Sequence, residues 1–505
     1  MSRRWFAWVA VVLIASGCDS ATAPAADSQV IGDAVTPNAA PPGGPDSAVP
    51  VPDAVDDVGV PDSAPTPQLQ AGAASVDVTP TGKGVPLGGF GGAPRRKFTL
   101  VNIPAHLAAV TGNCYDPTPG DVASLFEPSQ GKLDSLTAKA LVLSNGTTKA
   151  AIIKIDAIGV DRAMRDELEQ TAKTLGIPAG NLIVTATHTH SGPGAVGHHA
   201  LFTLIAMDCL HDPTYKAMLA GVTKALTQAD AALQPARVGI GSVEEKNVSN
   251  NRMGRPGVFD PTLGLIKVVE AKTDKPIAAL MNYAVHGTCL GASNMLFSAD
   301  LMGYAERDLE KKLGGVALFV NGTEGDVSPK QGGLAGAAAL GAILADTTSK
   351  LWQKLPTKTW FEIEGKIEDV KMPKAVGKGC LELFGDGKTL CDYVPGLTLP
   401  IDAFMQKELP FGALRLDDVV IATIPGEAIT DIGQEIKKAG KARGFRLTLL
   451  FGLANDHMGY VVTKDLYDKD EYESNSTMYG PTTGQVVVDS ATKVVDAVKV
   501  GSPSP

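Results

Sequence analysis

The sequence predicts an α/β protein with a mixed sheet, folded as a single large domain behind an N-terminal tether. Three observations predict it. From residue 71 onward, apolar runs of strand length alternate with amphipathic segments of helical spacing. Gly is abundant (55 of 505 residues) and aromatics are sparse, at 5%, which suits many short elements joined by loops. Strands and helices interleave without a strict βαβ rhythm and without an internal repeat, so a mixed sheet fits better than a doubly wound one.

The N-terminus stands outside this fold. Arg3 and Arg4 precede an apolar stretch from Trp5 to Ile14, followed by Ala15-Ser16-Gly17-Cys18. That is the pattern of an export signal over residues 1–18. Its end resembles a bacterial lipobox, in which Cys18 is lipidated; an ordinary secretory signal with a chance cysteine is the alternative. Ser2 to Phe6 also resembles a twin-arginine signal. The apolar run is too short for a permanent membrane span. Residues 19–70 are rich in Ala, Pro, Val and Gly, with eight Asp and no Lys, Arg or Glu. Such a segment cannot bury enough apolar surface to order itself, so it reads as a disordered linker. It carries most of the net charge of −10. The remainder is nearly neutral, which excludes a basic nucleic-acid footprint. The expected location is the cell envelope, with the chain held to a membrane by a lipid on Cys18 and no obligate protein partner.

Residues 71–500 read as the folded domain. Ala71 to Thr79 alternates like a first strand, and the Gly-rich stretch Pro86 to Gly92 offers backbone that can line a pocket. Residues 139–159 read as two strands around Asn145-Gly146, a hairpin signal. Helical spacing follows at 161–175, then the apolar strand that leads to His188. A helix at 213–233 precedes strands at Ala236–Val243, Leu263–Ala271 and Ile277–Val285. Asp300–Leu313 reads as a charged amphipathic helix, Val316–Val320 as a short buried strand, and 333–354 as a small-residue helix. Residues 358–371 read as a polar edge strand. Leu414–Ile424 is hairpin-like, and a helix, the strand Arg446–Phe451 and a closing helix near 484–498 complete the order.

Chemistry gathers where apolar strands run into polar, Gly-containing loops. Thr187-His188-Thr189-His190-Ser191-Gly192-Pro193-Gly194 follows the run Leu182-Ile183-Val184. Alternation along a strand places both imidazoles on one face, and Gly-Pro-Gly forces a turn. Similar strand ends occur at His286, Ser328 and Glu427, where α/β proteins place their sites. His188, His286 and Glu427 are candidates for a three-ligand zinc site with an open position. No nucleophile-elbow, P-loop, Rossmann or His-Glu-x-x-His pattern is present. Among the cysteines, Cys380 and Cys391 flank a turn and read as a disulfide, Cys114 with Cys209 is a weaker pairing, and Cys289 is left free. A thiol three residues past His286 is a metal-ligand candidate, although a small buried residue is the commoner role.

Six blocks, in order, resemble the neutral/alkaline (non-lysosomal) ceramidase family across roughly residues 70–485. They are Ala186 to Pro193, Asn282 to His286, Gly325 to Pro329, Ile424 to Glu427, Asn455 to Tyr460, and Tyr472-Glu473 with Ser476 to Pro481. Asn251-Arg252 and Asp77-Val78-Thr79 add weaker matches. The resemblance implies a zinc-dependent amidohydrolase that cleaves the N-acyl amide of ceramide-type sphingolipids to a fatty acid and a sphingoid base. By motif, His188, His286, Glu427 and Tyr460 would bind Zn2+. His190 would bind the substrate carbonyl or move a proton, or else orient a ligand. Ser328 takes the position of the family's catalytic serine, to attack the carbonyl or to hold a substrate hydroxyl; a turn-capping serine is the plain alternative. Tyr472 and Arg252 would contact substrate, with a surface ion pair the other reading for Arg252.

Three departures from the pattern stand out. The β-sandwich domain that follows in longer ceramidases is expected to be missing. Lys330 stands where the family has Asn and would bring a cation to the site. The segment around His198-His199 and the insert at 380–391 diverge and would reshape the pocket. Two further readings therefore stay open: an amidase for another N-acyl lipid, and a non-catalytic lipid- or glycan-binding lipoprotein with an inherited metal site.

Overall fold

Hydrophobic alternation along the chain resolves into two packed sheets between layers of helices. The computed structural model describes residues 69–92, 94–97, 122–378, 397–469 and 471–499, all within one compact unit, Pro67–Pro505. The signal over 1–18, Cys18, the tether up to residue 68, Cys114, and the Cys380–Cys391 pair lie outside the described residues.

The first nine strands are β1 (Gln70–Asp77), β2 (Thr137–Ser144), β3 (Lys149–Ile155), β4 (Leu182–Ala186), β5 (Gln234–Glu244), β6 (Ser249–Asn251), β7 (Thr262–Glu270), β8 (Pro276–Tyr283) and β9 (Val316–Asn321). All but β6 form one sheet in the order β4-β3-β2-β1-β5-β7-β8-β9. The β3–β4 and β8–β9 pairs are parallel and the others antiparallel, the mixed sheet expected. At the β2–β3 hairpin, Asn145 Oδ1 accepts from the backbone of Thr147 at 3.1 Å and of Thr148 at 3.0 Å, an Asx turn.

Side chains alternate across each strand, and both faces of this sheet are apolar. One face takes Met164 and Leu168 of α1 (Arg162–Thr174) and Val222 and Leu226 of α2 (Asp212–Ala231). The same face, nearer β9, takes Leu301 and Leu309 of α3 (Asp300–Leu313) and Leu340 and Leu344 of α4 (Gly333–Lys354). Beyond the short β10 (Val327–Pro329), the second sheet gathers β11 (Ile363–Lys371), β14 (Glu408–Leu416), β15 (Val419–Thr423) and β17 (Leu447–Phe451), in that order. Two-residue strands lie between them: β12 (Gly377–Lys378), β13 (Thr398–Leu399) and β16 (Glu427–Ala428), with β18 (Tyr460–Val461) after β17. The second sheet packs its Leu414, Ile421, Leu449 and Phe451 against Leu141, Ile152, Leu280 and Leu318 of the first. Its outer face is covered by α5 (Thr430–Ala442) and α6 (Thr483–Ala497).

The large sheet curls until its two outermost strands, β4 and β9, approach one another. A buried charge cluster lies in the curl. Lys154, fully buried, meets Asp156 and Glu306 at 2.9 Å each, and Lys139 meets Glu306 at 3.0 Å and Glu310 at 2.7 Å. Lysines are tolerated there only because carboxylates neutralise them. Asp156 also accepts from Thr187 Oγ1 at 3.2 Å, one residue before His188. The ends of β4, β8 and β9 lie together in the interior, joined by Asn321 to the carbonyls of Thr187 and Val285.

Element boundaries differ from the sequence reading at several places; the edge strand expected at 358–371, for one, begins only at Ile363. β1 begins at Gln70, inside the segment assigned to the tether. The hairpin-like segment is the pair β14–β15 and starts earlier, at Glu408. Ser328 does not end an apolar strand: β9 stops at Asn321, and Ser328 sits on β10, paired with β6. Among the described residues, no helix is long and apolar enough to cross a membrane.

Candidate functional site

Four strand ends converge on one point. His188 follows β4, His286 follows β8, and Glu427 and Tyr460 open β16 and β18, which pair in parallel with those two residues in register. Glu427 Oε2 lies 3.1 Å from His188 Nε2 and 3.3 Å from His286 Nε2. The Tyr460 hydroxyl is 3.0 Å from His286 Nε2. His188 Nδ1 faces the carbonyl of Ile158 at 2.7 Å, and His286 Nδ1 faces that of Glu324 at 2.8 Å. A carbonyl only accepts, so both Nδ1 atoms carry the proton and both Nε2 atoms offer a lone pair. Main-chain anchoring of this kind is how metal-binding imidazoles are usually held.

The donor set fits a metal ion. His188 Nε2 and Glu427 Oε2 are buried and lack hydrogen-bond partners. Ligand atoms of two triplets, His188–His190–His286 and His188–Glu427–His457, lie within 4.8 Å of one another. Imidazole, carboxylate and phenol oxygen suit zinc and several other divalent ions.

His188 reaches its place in the left-handed backbone region, at φ 66°. The strand has ended at Ala186, so β alternation does not align the two histidines as the sequence pattern suggested. A turn aligns them instead, with ring centroids 4.9 Å apart. Backbone strain of this kind is worth about 1–3 kcal/mol and gathers at functional positions.

Electrostatics separate the roles. Burial opposes charge on Glu427, yet His188, His286 and His457 outweigh it and hold this carboxyl well below the usual range. Burial, followed by the neighbouring Arg252, drops His286 to about 3. Burial and then His188 and His286 push His190 well below its ordinary value, so it is neutral. Both of its ring nitrogens are buried without a partner. Tyr460 is driven well above 10 by burial, against the pull of Arg252, whose Nη2 donates to its hydroxyl at 2.9 Å. Glu324 is also buried, with neither carboxylate oxygen paired, and burial together with Glu427 raises it well above 4.5.

A cavity of about 390 Å³ opens beside this cluster. Its wall is polar at His188, His190, Arg252, Glu427 and Tyr460 and apolar at Phe90, Ile158, Val160, Met164, Phe202 and Met207. Gly89 lets the wall close on His190: at φ +123°, any Cβ there would stand 2.7 Å from the His190 Cα. Arg95, 1% exposed, fixes the same loop from behind, donating to the His190 carbonyl at 2.5 Å.

Sequence comparison agrees with this geometry. The profile described as neutral/alkaline non-lysosomal ceramidase, N-terminal, matches residues 103–342 and 391–489. The chain belongs to the neutral/alkaline non-lysosomal ceramidase family. The neutral ceramidase of Pseudomonas aeruginosa is 26% identical over 406 residues, covering 63% of this chain and 60% of that protein. That of Mycobacterium tuberculosis is 23% identical over 412 residues, 64% of each. The chain therefore spans about three fifths of the length of these curated relatives. The crystal structure of neutral ceramidase from Pseudomonas aeruginosa superposes with a TM-score of 0.69 at 21% identity, over 87% of this chain and 76% of that one. A ceramidase complexed with C2 gives 0.68 at 20% identity, over 87% and 77%.

Of the residues expected from the ceramidase motifs, His188, His190, Glu427, Tyr460, Arg252 and Tyr472 border the cavity, and His286 stands fully buried behind them against Glu427 and Tyr460. Arg252 is half-buried and does form an ion pair: its Nε donates to Glu473 at 2.6 Å, and its guanidinium lies 5.7 Å from the Tyr472 ring. Tyr472 itself is 60% exposed, with its ring 5.4 Å from that of Tyr460. Ser328 is half-buried on β10, in register with Asn250, and is not among the cavity-lining residues. Lys330 is exposed and borders a separate surface hollow with Asn250 and Arg255, so it brings no cation to the cavity. Cys289 is free and buried in an apolar cluster, outside both ligand triplets. Cys209 is in a disulfide whose partner lies outside the described residues. The divergent segment does shape the pocket, since His199 lines it and bonds Asp456 at 2.7 Å. His457, Arg95 and Glu324 escaped the sequence reading; only the position of His457 inside the Asn455–Tyr460 block marked it.

Proposed function

We propose that this chain is a zinc-dependent amidohydrolase that cleaves the N-acyl amide of ceramide-type lipids to a fatty acid and a sphingoid base. The observation that carries the reading is the convergence of His188, His286, Glu427 and Tyr460 beside a half-apolar cavity. Names of the relatives, neutral ceramidases, supply the substrate class.

His188 and His286 would hold the ion through Nε2, with Glu427 Oε2 and the Tyr460 oxygen completing the set. When bound, zinc supplies Lewis-acid chemistry: a polarised carbonyl and a lowered pKa for water. The protein's own groups do the rest. His190, neutral and unpartnered, stands ready to bond the amide carbonyl or carry a proton toward the departing amine. Arg252 supplies positive charge to the Tyr460 oxygen and holds Glu473. Phe90, Ile158, Val160 and Met164 offer an acyl chain a wall that excludes water. Ser328 lies off the cavity wall, so the reading assigns carbonyl attack to water and leaves Ser328 a supporting role on β10. The pattern before Cys18 supports the accompanying proposal that the enzyme is exported and held at the cell envelope by a lipid.

The test is fatty-acid release from ceramide by the purified chain, before and after chelation and after zinc is restored. Loss and zinc-dependent recovery is the expected result. Stoichiometric zinc without release from any N-acyl lipid would leave a binding protein, and release from other N-acyl amides alone would change the substrate.

A further inference from the structure

His457 borders the cavity and has no place in the four-residue ligand set. Its ring is buried, and its Nε2 has no hydrogen-bond partner. That atom lies 3.3 Å from Glu427 Oε1, the carboxylate oxygen turned away from His188 and His286. The ring is held for this position. Gly159 leaves the space it fills, since a Cβ there would stand 2.9 Å from His457 Cδ2. Phe202 packs edge-on against it, with centroids 4.6 Å apart. The His457 backbone N–H is fixed by Asp456 Oδ1 at 2.8 Å.

We propose that His457 is a fifth protein ligand of the metal centre, binding through Nε2 beside Glu427 Oε1. The proposal rests on the metal reading above and adds to it. Atoms bound to one ion at about 2.1 Å stand no more than about 4.2 Å apart, and adjacent ligands stand at roughly 3.0–3.5 Å. His188 and His286 stand 3.1 and 3.3 Å from Glu427 Oε2, Tyr460 stands 3.0 Å from His286, and His457 stands 3.3 Å from Glu427 Oε1, so the ion is shared through both carboxylate oxygens. His188, Glu427 and His457 also form one of the two compact ligand triplets. The His457 Nε2 is buried and aimed at the carboxylate in the same manner as the Nε2 of His188. A fifth donor makes the centre more closed than a four-ligand catalytic site, so His457 must yield its place, or the coordination must expand, when a substrate carbonyl enters.

The experiment uses the cobalt-loaded full chain, because cobalt reports coordination through its visible spectrum and through hyperfine-shifted imidazole N–H signals. Wild type is compared with His457→Gln and with Gly159→Ala, which keeps the imidazole but displaces its ring. If His457 ligates, His457→Gln loses one shifted imidazole signal, its visible absorption intensifies as coordination drops, and cobalt affinity falls at least about tenfold. Gly159→Ala moves the spectrum the same way, which keeps the test sound should His457→Gln fold poorly. Unchanged signals and spectra in both variants overturn the proposal. Weaker affinity with an unchanged spectrum also overturns it, leaving His457 as a residue that only orients Glu427. A wild-type chain that takes up no cobalt and no zinc removes the metal reading itself, an outcome distinct from either of these.

Discussion

Asn321 Nδ2 donates to the carbonyl of Thr187 at 3.0 Å, so the last residue of β9 holds the residue just before His188. The same amide donates to the Val285 carbonyl at 2.8 Å, just before His286, and its oxygen accepts from Val285 and Gly322 at 3.0 Å each. One fully buried side chain therefore ties together the two loops that carry the imidazoles. Asn321→Ala strands several buried backbone groups. It should destabilise the protein by about 2–4 kcal/mol and weaken zinc binding roughly 10–100-fold. Urea unfolding and a competitive chelator titration measure the two effects. Wild-type values in both would mean that the loops hold their geometry without this amide.

Gly89 gives a second handle on the site. Its φ of +123° and the absence of a Cβ let the Gly-rich loop lie directly against His190. Gly89→Ala should cost about 1–3 kcal/mol in backbone strain and push the His190 ring from its position. The expected outcome is a fall in kcat with zinc content unchanged, read by turnover of an N-acyl lipid beside metal analysis. Full turnover would show that His190 needs no fixed seat.

Ser328 and His190 separate two mechanisms. With carbonyl attack assigned to water, Ser328→Ala should keep kcat within about threefold of wild type, whereas His190→Ala should lose about 10²–10⁴-fold, the usual worth of a positioned acid–base group. Acyl-enzyme trapping on the wild type provides an independent check. Trapped acyl on Ser328, or a Ser328→Ala variant as dead as His190→Ala, would restore the nucleophilic serine.

How much of this was legible before the fold was known depended on whether the signal was local. His188, His286 and Glu427 each stand where an apolar run gives way to a Gly-bearing loop, so the sequence marks them individually. Their meeting is set by the curl that brings β4 beside β9 and by the β16–β18 pairing, both long-range relations that no window of sequence contains. His457 lacked a local signal because its role comes from Glu427, thirty residues earlier, and from the space beside Gly159. Lys154 runs against composition rules: it sits in a strand interior only because Glu306, on a distant helix, neutralises it. For Ser328 the motif match supplied a role and the sheet supplied only a place, on β10 in register with Asn250.

His198 and Asp161 give a pH-dependent term at the cavity wall. His198 Nδ1 meets Asp161 Oδ2 at 2.8 Å, while Asp161 Oδ1 accepts from Met164 and caps the start of α1. The bond to Asp161 raises His198 above 6.5. Burial opposes charge on Asp161, but His198 and the Met164 N–H outweigh it and lower the group below 3.8. The imidazole's contribution is complete below its unfolded value of 6.5 and fades as pH rises through the higher folded value. The carboxylate's contribution is complete above 3.8 and fades as pH falls through the lower folded value. The pair is at full strength between these limits. His198 is partly exposed, so after solvent screening its loss should amount to at most about 1 kcal/mol. Denaturant midpoints of wild type and His198→Gln should therefore differ most near pH 5–6 and converge toward pH 9. A difference that stays constant across that range would mean the imidazole contributes by packing against Tyr215, at 4.6 Å between ring centroids, and not by charge.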